Sequence, residues 1–204
     1  MSEEAERIVG LYRRHADAWA AARGSKPGNR PMEAGWLDRF LDVLPTRGRV
    51  LDIGCGSGEP IARYLTMRGC ELTGVDAAPE MVAFCAARLP RHAWHVADMR
   101  WLSLRRTFDG IIARDSLFHL CPDDQRCMFP TFRAHAAARA ALMFTSGPDD
   151  GVAMGTFEGE PLYHASLSGA EYRALLAENG FDVVAHAAED PSCGRHTIWL
   201  AQLR

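Results

Sequence analysis

The sequence predicts an α/β fold: a doubly wound, mostly parallel sheet of seven strands that ends in a C-terminal antiparallel hairpin. Between residues 47 and 146, short apolar segments alternate with amphipathic segments at helical spacing. Such alternation is typical of a parallel sheet with helices on both faces. Near the end of the chain, two apolar segments are separated only by "DPSCGR". Strands joined by so short a connection must be antiparallel neighbours.

The elements follow in order along the chain. The pattern of residues 1–45 predicts a helical cap. Apolar side chains recur at helical spacing over residues 8–19, and a second helix is predicted in "EAGWLDRFLDVLP". Strands are predicted in "GRVLDIG", "CELTGVD", "HAWHVAD", "FDGIIARD", "ALMFTS", "FDVVAHAAE" and "HTIWLAQL". Residues 146–167 are too long and glycine-rich for a routine connection, which predicts a loop or lid over the site or a hairpin that covers the sheet edge.

The composition favours a single domain that spans residues 1–204. The chain is 48% hydrophobic and 24% charged, and its net charge of −3 gives no reason to expect nucleic acid as a partner. The first residues lack the apolar core of a secretory signal, and no apolar run reaches membrane-spanning length. The six cysteines form no C-x-x-C pair. We expect a cytoplasmic protein without a membrane partner, either a monomer or a homodimer.

The segment "GCGSG", residues 54–58, joins the first strand to a helix. Glycines at such a junction let backbone N–H groups approach a ligand. The spacing departs from the dinucleotide fingerprint G-x-G-x-x-G, and Glu59 would compete with a pyrophosphate for the helix N-terminus. A ligand without phosphate at this loop therefore fits better, while an NAD(P)-dependent oxidoreductase stays an alternative.

Four motifs carry a resemblance to a known family. "VLDIGCGSG", "LTGVDAAPEM", "HVADMR" and "FDGIIARDSLFHL" follow in the order seen in class I S-adenosylmethionine-dependent methyltransferases, and the resemblance spans residues 47–145. It implies a single methyltransferase domain with the Rossmann-like fold of that family, S-adenosylmethionine as cofactor and a small-molecule methyl acceptor. A protein that binds S-adenosylmethionine for regulation, without catalysis, is a further alternative.

The resemblance also implies roles for single residues. The glycine loop passes under the cofactor's amino acid and ribose, Asp76 accepts hydrogen bonds from the ribose, and Asp98 accepts one from the adenine amino group. Asp76 could instead cap the next helix, and Asp98 could form a turn. Asp52 braces the loop or meets a cationic ligand group, and Arg114 pairs with a carboxylate. The expected cofactor-binding residues are Asp52, Gly54, Gly56, Gly58, Asp76, Ala77, Asp98, Met99 and Arg114.

The reaction implied is in-line displacement at an activated methyl group, for which the protein mainly supplies alignment. A hydroxyl or ammonium acceptor needs a base, and the candidates are Asp115, His119 and His164, in that order. A carboxylate, thiolate or enolate acceptor needs none. His119 could instead pack against the following helix. The expected substrate contacts are Tyr12, Trp19, Ser116 and Tyr163, and no histidine has ligand-like spacing with a cysteine, so no metal is expected.

Overall fold

Each segment predicted as a strand lies in one sheet. The computed structural model describes residues 3–24 and 30–204. Its strands are β1 (Arg49–Ile53), β2 (Glu71–Asp76), β3 (Ala93–Val96), β4 (Phe108–Ala113), β5 (Ala136–Ser146), β6 (Gly151–Phe157), β7 (Glu160–Ser166), β8 (Phe181–Asp190) and β9 (His196–Leu203). All except β6 and β7 belong to the seven-stranded sheet, whose order is β3-β2-β1-β4-β5-β9-β8.

The pairing directions confirm the predicted fold class. Strands β1 to β5 pair in parallel, whereas β9 is antiparallel to both β5 and β8. The strand order reverses between β1 and β4, so the crevice at their carboxyl ends is the topological switch point where open α/β sheets bind ligands.

Seven helices occur in the described part of the chain: α1 (Glu3–Arg14), α2 (Ala16–Arg23), α3 (Ala34–Asp42), α4 (Ile61–Met67), α5 (Pro79–Arg88), α6 (Pro122–His135) and α7 (Gly169–Glu178). Several start where the sequence carries a start signal. Pro79 and Pro122 occupy the first positions of α5 and α6, where a missing N–H costs nothing. The Ser168 hydroxyl accepts a hydrogen bond from the Glu171 N–H and caps α7. None of these described helices is long and apolar enough to cross a membrane.

Two apolar layers enclose the sheet, because successive strand residues point to opposite faces. Leu51 and Ile53 of β1 pack on the side of α6 and α7, in a cluster with Phe129 and Leu176. Val50 points the other way, into a cluster on the side of α3 and α4. Because the strands are buried on both faces, their sequences are continuous apolar runs.

The predicted N-terminal cap has two parts. Helix α3 packs its apolar side chains on the sheet and belongs to the core. Helices α1 and α2 instead lie over the carboxyl edge of the sheet, where Ile8 and Leu11 contact β7 and Ala16 contacts Ala78 and Met81. The continuous helical spacing over residues 8–19 is interrupted at His15, which lies between α1 and α2.

Residues 146–167 do not form the loop that was one of our two expectations. Strands β6 and β7 pair over their whole length, from Gly151 with Ser166 to Phe157 with Glu160. The alternative expectation, a hairpin over the sheet edge, is right about the hairpin and wrong about its place. Within the described residues this hairpin pairs with neither edge strand of the large sheet, and β7 contacts α1 and the 3₁₀ turn Leu117–His119. It therefore helps to enclose the carboxyl edge of β4.

Candidate active site

The loop after β1 is shaped by three glycines in the left-handed region of φ. Gly54, Gly56 and Gly58 have φ values of 74°, 52° and 78°, which favour glycine because other residues carry a Cβ. The N–H groups of Gly54 and Cys55 donate to the Val75 carbonyl, which fixes the loop against the end of β2. The loop thus carries the chain from β1 to α4 while it stays hydrogen-bonded to the end of β2.

The three glycines face different surroundings. A Cβ at Gly54 would overlap the Cβ of Ser116, and one at Gly58 would lie 3.2 Å from Cys85 Sγ, inside the packing of α5. A Cβ at Gly56 would have one neighbour within 4 Å, Trp19 Nε1 at 3.4 Å. Gly54 and Gly56 line a cleft above the loop, whereas Gly58 does not. The expected contact of Gly58 with cofactor is therefore replaced by a packing role.

The cleft opens at the switch point and, counted out to the surrounding solvent, has a volume of about 880 Å³. Most residues expected to contact cofactor or substrate line it, together with helix α1. They are Tyr12, Trp19, Gly54, Gly56, Asp76, Ala77, Asp98, Met99, Asp115, Ser116 and His119. The structure thus brings together side chains from α1, α2 and the ends of β1 to β4.

Asp76 at the end of β2 accepts two backbone hydrogen bonds, from Gly56 N–H to Oδ2 and from Ala78 N–H to Oδ1, each at 2.9 Å. Burial raises the pKa of this carboxyl, and the backbone donors act in the opposite direction. The Ala78 bond is the capping interaction weighed above. Since each carboxylate oxygen has a second acceptor position, the cap leaves room for a ligand diol.

Asp98 at the end of β3 is held by Arg100. The Arg100 guanidinium donates to both Asp98 oxygens at 2.6–3.1 Å, and the Arg100 N–H donates to Oδ1 at 2.9 Å. Burial alone would raise the pKa of Asp98, but the hydrogen bonds and charge of Arg100 outweigh it and hold the pKa below its usual range. Arg100 also pairs with Glu6 of α1 and, at 3.5 Å, with Asp124 of α6. These ion pairs of Arg100 close the end of the cleft at which the family resemblance places adenine.

Asp52 lies behind the glycine loop and is 4% exposed. Its Oδ2 has no hydrogen-bond partner within the described part of the chain. Burial, and to a smaller extent the charge of Asp76, raise its pKa to about 7. Asp52 does not line the cleft, so of its two expected roles the position favours bracing the loop over direct contact.

Arg114 and Asp115 form a buried ion cluster with Glu33 and Arg23. Arg114 pairs with Asp115 and lies 3.1 Å from Glu33, and Arg23 lies 3.4 Å from Glu33 and 3.5 Å from Asp115. Arg114 does not line the cleft, so its expected pairing with a carboxylate is met inside the protein rather than by cofactor. Both oxygens of Asp115 already have partners within the protein: Oδ2 faces Arg114 and Arg23, and Oδ1 accepts from Thr145 Oγ1 at 3.4 Å.

His119 and Tyr12 form a hydrogen-bonded pair on the cleft wall. His119 Nδ1 lies 2.8 Å from the Tyr163 carbonyl, which only accepts, so Nδ1 carries the proton. His119 Nε2 is then an acceptor, and the Tyr12 hydroxyl donates to it at 2.9 Å. Burial lowers the pKa of His119 to about 4, and burial together with nearby carboxylates raises the pKa of Tyr12. At neutral pH both groups are uncharged.

The remaining candidates lie elsewhere. Tyr163 packs its ring among Ile8 and Leu11 and offers its carbonyl to His119. His164 lines a second, more open cleft with Phe118 and His196, and burial lowers its pKa. The Ser116 hydroxyl donates to the Ile53 carbonyl at 2.7 Å. These positions remove Tyr163 and His164 from the surface of the first cleft.

Stability should depend on the protonation of His119. Because the pKa of His119 falls from about 6.5 when exposed to about 4 when folded, the unfolded chain binds more protons in this range. Stability is therefore lost as pH falls from about 6.5 through 4. The His119→Gln variant should lack this term, worth about 3 kcal/mol at most. Asp52 acts in the opposite direction in both proteins, so its contribution cancels in the difference.

The measurement is urea unfolding of both proteins between pH 4 and pH 8. The free energy of unfolding of the wild-type protein minus that of the variant should shrink on acidification. Parallel pH profiles would contradict the buried, neutral state of His119.

Among the described residues, no group of three or more histidines, cysteines or acidic side chains could hold a metal ion. Arg100 and Glu33 are not among the site residues predicted from sequence. Arg100 follows Asp98 by two positions, but its partner Glu6 is 94 residues away, and local patterns do not report such contacts.

Comparisons with known proteins agree with this geometry. Residues 50–138 match the family model described as a methyltransferase domain. Magnesium-protoporphyrin O-methyltransferase of Rhodobacter capsulatus is 33% identical over 129 residues, which cover 60% of this chain and 55% of that relative. The match thus spans little more than half the length of the relative.

Two solved structures share the fold. Magnesium protoporphyrin IX methyltransferase from Synechocystis PCC 6803, with bound S-adenosylhomocysteine, superposes with a TM-score of 0.73 at 18% identity, covering 99% of this chain and 100% of its own. An amino pentose methyltransferase from Micromonospora echinaspora, with bound S-adenosylmethionine, superposes with a TM-score of 0.71 at 20% identity, covering 92% and 96%. Residues 50–138 of this chain are therefore similar to methyltransferase domains, and the chain as a whole shares the fold of these two structures.

Proposed function

We propose that this protein transfers a methyl group from S-adenosylmethionine to a small-molecule acceptor. The observation that carries the proposal is the order of ligand-binding features along the carboxyl edge of the sheet. Asp98 and Met99 follow β3, Asp76 ends β2, the glycine loop follows β1, and Asp115 follows β4. Neighbouring strands lie about 4.8 Å apart, so this row spans roughly the length of a nucleoside joined to an amino acid.

The residues present fit such a cofactor. Gly56 lacks the side chain that would project into the cleft, which leaves its backbone free to lie against a ligand. Asp76 keeps an acceptor position on each oxygen for a ribose diol. Met99 and Ala97 supply apolar surface for an adenine ring. An adenine amino group at Asp98 would share that carboxylate with Arg100.

When bound, S-adenosylmethionine would supply a methyl group on a positively charged sulfur, whose carbon a nucleophile attacks in line while the sulfur leaves as a neutral thioether. The protein's own task is to align the acceptor and exclude water. Helices α1 and α2, with the β6–β7 hairpin beside them, cover the cleft at the end of β4. The rings of Tyr12 and Trp19 face each other edge to face at 5.1 Å on this wall.

For a hydroxyl acceptor, we assign the base to His119. The acceptor's proton passes to the Tyr12 oxygen as Tyr12 gives its own proton to His119 Nε2, the atom that already accepts from it. The Tyr163 carbonyl fixes the tautomer that makes Nε2 an acceptor. This changes the order expected from sequence, because Asp115 is held by Arg114 and Arg23 and His164 lines the second cleft.

The competing functions have less support. Nothing in the compared proteins favours an NAD(P)-dependent oxidoreductase, and the matched family and relative bear the names of methyltransferases. We keep as proposals a cytoplasmic location, to which the free state of all six cysteines adds support, and an acceptor that is neither nucleic acid nor membrane. Either a monomer or a homodimer is compatible with a cleft built from one chain.

Asp76→Asn tests the proposed ribose contact. Asparagine keeps one oxygen for the Ala78 cap but replaces the other acceptor by a donor, so the affinity for S-adenosylmethionine should fall by about 1–3 kcal/mol. Asp109→Asn is the matched control, because Asp109 also accepts a backbone N–H, at 2.8 Å from Arg49, but lies at the start of β4. Calorimetric titration measures both. A loss of thermal stability without loss of affinity would assign Asp76 to capping alone.

A further inference from the structure

We infer that Asp115 makes the cleft selective for the positively charged form of its cofactor, so that the sulfonium is bound more tightly than the neutral thioether left after methyl transfer. The inference rests on the proposed function. It assigns to Asp115 a role in specificity in place of the role of base expected from sequence.

The first observation is the charge of the cleft. Among the described residues that line it, Arg100 is the one cation, and the acidic ones are Glu6, Asp76, Asp98, Asp115 and Asp124. Arg100 pairs with three of these acids, all at the end near β3. No cationic side chain that lines the cleft faces Asp115 at the other end, near β4, within the described part of the chain. Arg114, Arg23 and, at 3.6 Å, His196 lie against Asp115 from outside the lining, so the surface of the cleft itself presents a carboxylate at that end.

The second observation is the orientation of the buried ion cluster. Glu33 and the Arg114 side chain are each 4% exposed, the Asp115 side chain is 11% exposed, and the Arg23 side chain beside it is 28% exposed. Of the four members, Asp115 is the one that lines the cleft, and the two arginines lie behind or beside it. The cluster is neutral as a whole, but its negative end faces the cleft, and such a fixed dipole needs no rearrangement to stabilise a cation.

Asp115 is held firmly in this position. Its backbone N–H donates to Thr145 Oγ1 at 2.8 Å, and its φ of 53° is unusual for a residue other than glycine. Strained backbone of this kind persists only where the surroundings determine it, and it concentrates at functional positions. The carboxylate therefore cannot swing away from the cleft when a ligand enters.

The third observation is aromatic. Tyr12 and Trp19 line the cleft beside Asp115 with their rings at 75° to each other. The Arg23 guanidinium lies 5.7 Å from the centre of the Trp19 ring, so Arg23 already occupies a place against that ring, and Tyr12 is the ring of the pair that is offered to a cationic ligand. Aromatic rings next to a carboxylate are suited to methylated cations, which have little hydrogen-bonding capacity of their own.

The place of Asp115 in the sheet puts these features at the sulfur end of the ligand. With adenine near β3 and ribose at β2, the amino-acid part extends over β1 towards β4. Ser116, next to Asp115, contacts the Gly54 position of the loop. Methyl transfer turns the sulfonium into a thioether and so removes the positive charge. The attraction of Asp115 is lost at that moment, which favours release of the product.

The test compares three ligands: S-adenosylmethionine, its product S-adenosylhomocysteine, and sinefungin, which carries an ammonium where the sulfonium methyl would be. Calorimetric titration of the wild-type protein should give affinities for both cationic ligands about tenfold higher than for S-adenosylhomocysteine. In Asp115→Asn this ratio should fall to near one. Asp124→Asn, which neutralises an acid at the opposite end of the same cleft, should leave the ratio within about twofold of wild type.

Equal binding of charged and neutral ligands by the wild-type protein would overturn the inference, as would an unchanged ratio in Asp115→Asn. If Asp115→Asn does not fold, the test rests on the wild-type protein. The ratio of its affinities for cationic and neutral ligands should then decline between 50 mM and 500 mM sodium chloride. Failure of the wild-type protein to bind any of the three ligands would instead contradict the proposed function.

Discussion

Gly56→Ala is expected to lower the affinity for S-adenosylmethionine by at least about tenfold while the protein still folds. The added methyl group would project from the loop into the cleft, where the nearest described atom is Trp19 Nε1 at 3.4 Å. A ligand lying on the loop would have to move away from the Gly56 backbone. Calorimetric titration measures the affinity, and thermal unfolding reports the stability.

The matched control is Gly69→Ala. Gly69 also has a positive φ, 86°, but lies after α4, and its nearest contact would be Arg47 Cγ at 3.9 Å. Both substitutions place alanine in the left-handed region, at a cost of about 1–2 kcal/mol in stability. If both variants lost similar stability and neither lost affinity, no ligand would lie on the glycine loop.

His119→Gln is expected to lower kcat for a hydroxyl acceptor by about 10²-fold or more, with little change in cofactor affinity. The variant removes the atom that takes the proton from Tyr12. Tyr12→Phe should have a smaller effect, because a water molecule or the acceptor itself can then reach His119 Nε2 directly. Steady-state kinetics with radiolabelled methyl donor, on acceptors selected by a screen of phenols and alcohols, give the rates.

His164→Gln is the control for this experiment. The rings of His164 and His119 lie 5.0 Å apart, but His164 lines the second cleft and is not bonded to Tyr12. Its substitution should change kcat less than about threefold. Equal losses in the two histidine variants would point to a shared structural effect and contradict the assignment of His119 as base.

Local patterns predicted much of the fold and of the cofactor end of the site. Strand residues buried on both faces gave continuous apolar runs, and short connections determined the direction of β9. The positions of Gly54, Gly56 and Asp76 follow directly, because the carboxyl ends of parallel strands meet at one edge. The local signals and the packing agree in this part of the chain.

The hairpin at residues 151–166 was one of two expectations, although the sequence contains a signal that favours it over a loop. Glu158 and Gly159 separate two segments of seven residues, and both have a positive φ, 49° and 80°. Two central residues of this kind form the turn that matches the twist of a hairpin. Glycine is typical of the second position of this turn, whereas glutamate is unusual at the first. The unusual residue weakened the sequence signal for a hairpin.

The ion pairs of the site could not be predicted from sequence. Arg100 meets Glu6 and Arg23 meets Asp115 because α1 and α2 fold back over the sheet edge. Such contacts depend on the packing of helices that are far apart in sequence. They place Arg114 against Glu33 and Asp115, outside the lining of the cleft, and they hold Asp115 between Arg114 and Arg23.

The most direct measurement is calorimetric titration of the purified protein with S-adenosylmethionine, S-adenosylhomocysteine and NAD. A cleft formed by the glycine loop, Asp76 and Asp98 should bind the first two with micromolar or higher affinity and should not bind NAD. Binding of NAD without binding of S-adenosylmethionine would contradict the proposed methyl transfer and favour hydride chemistry at the same switch point.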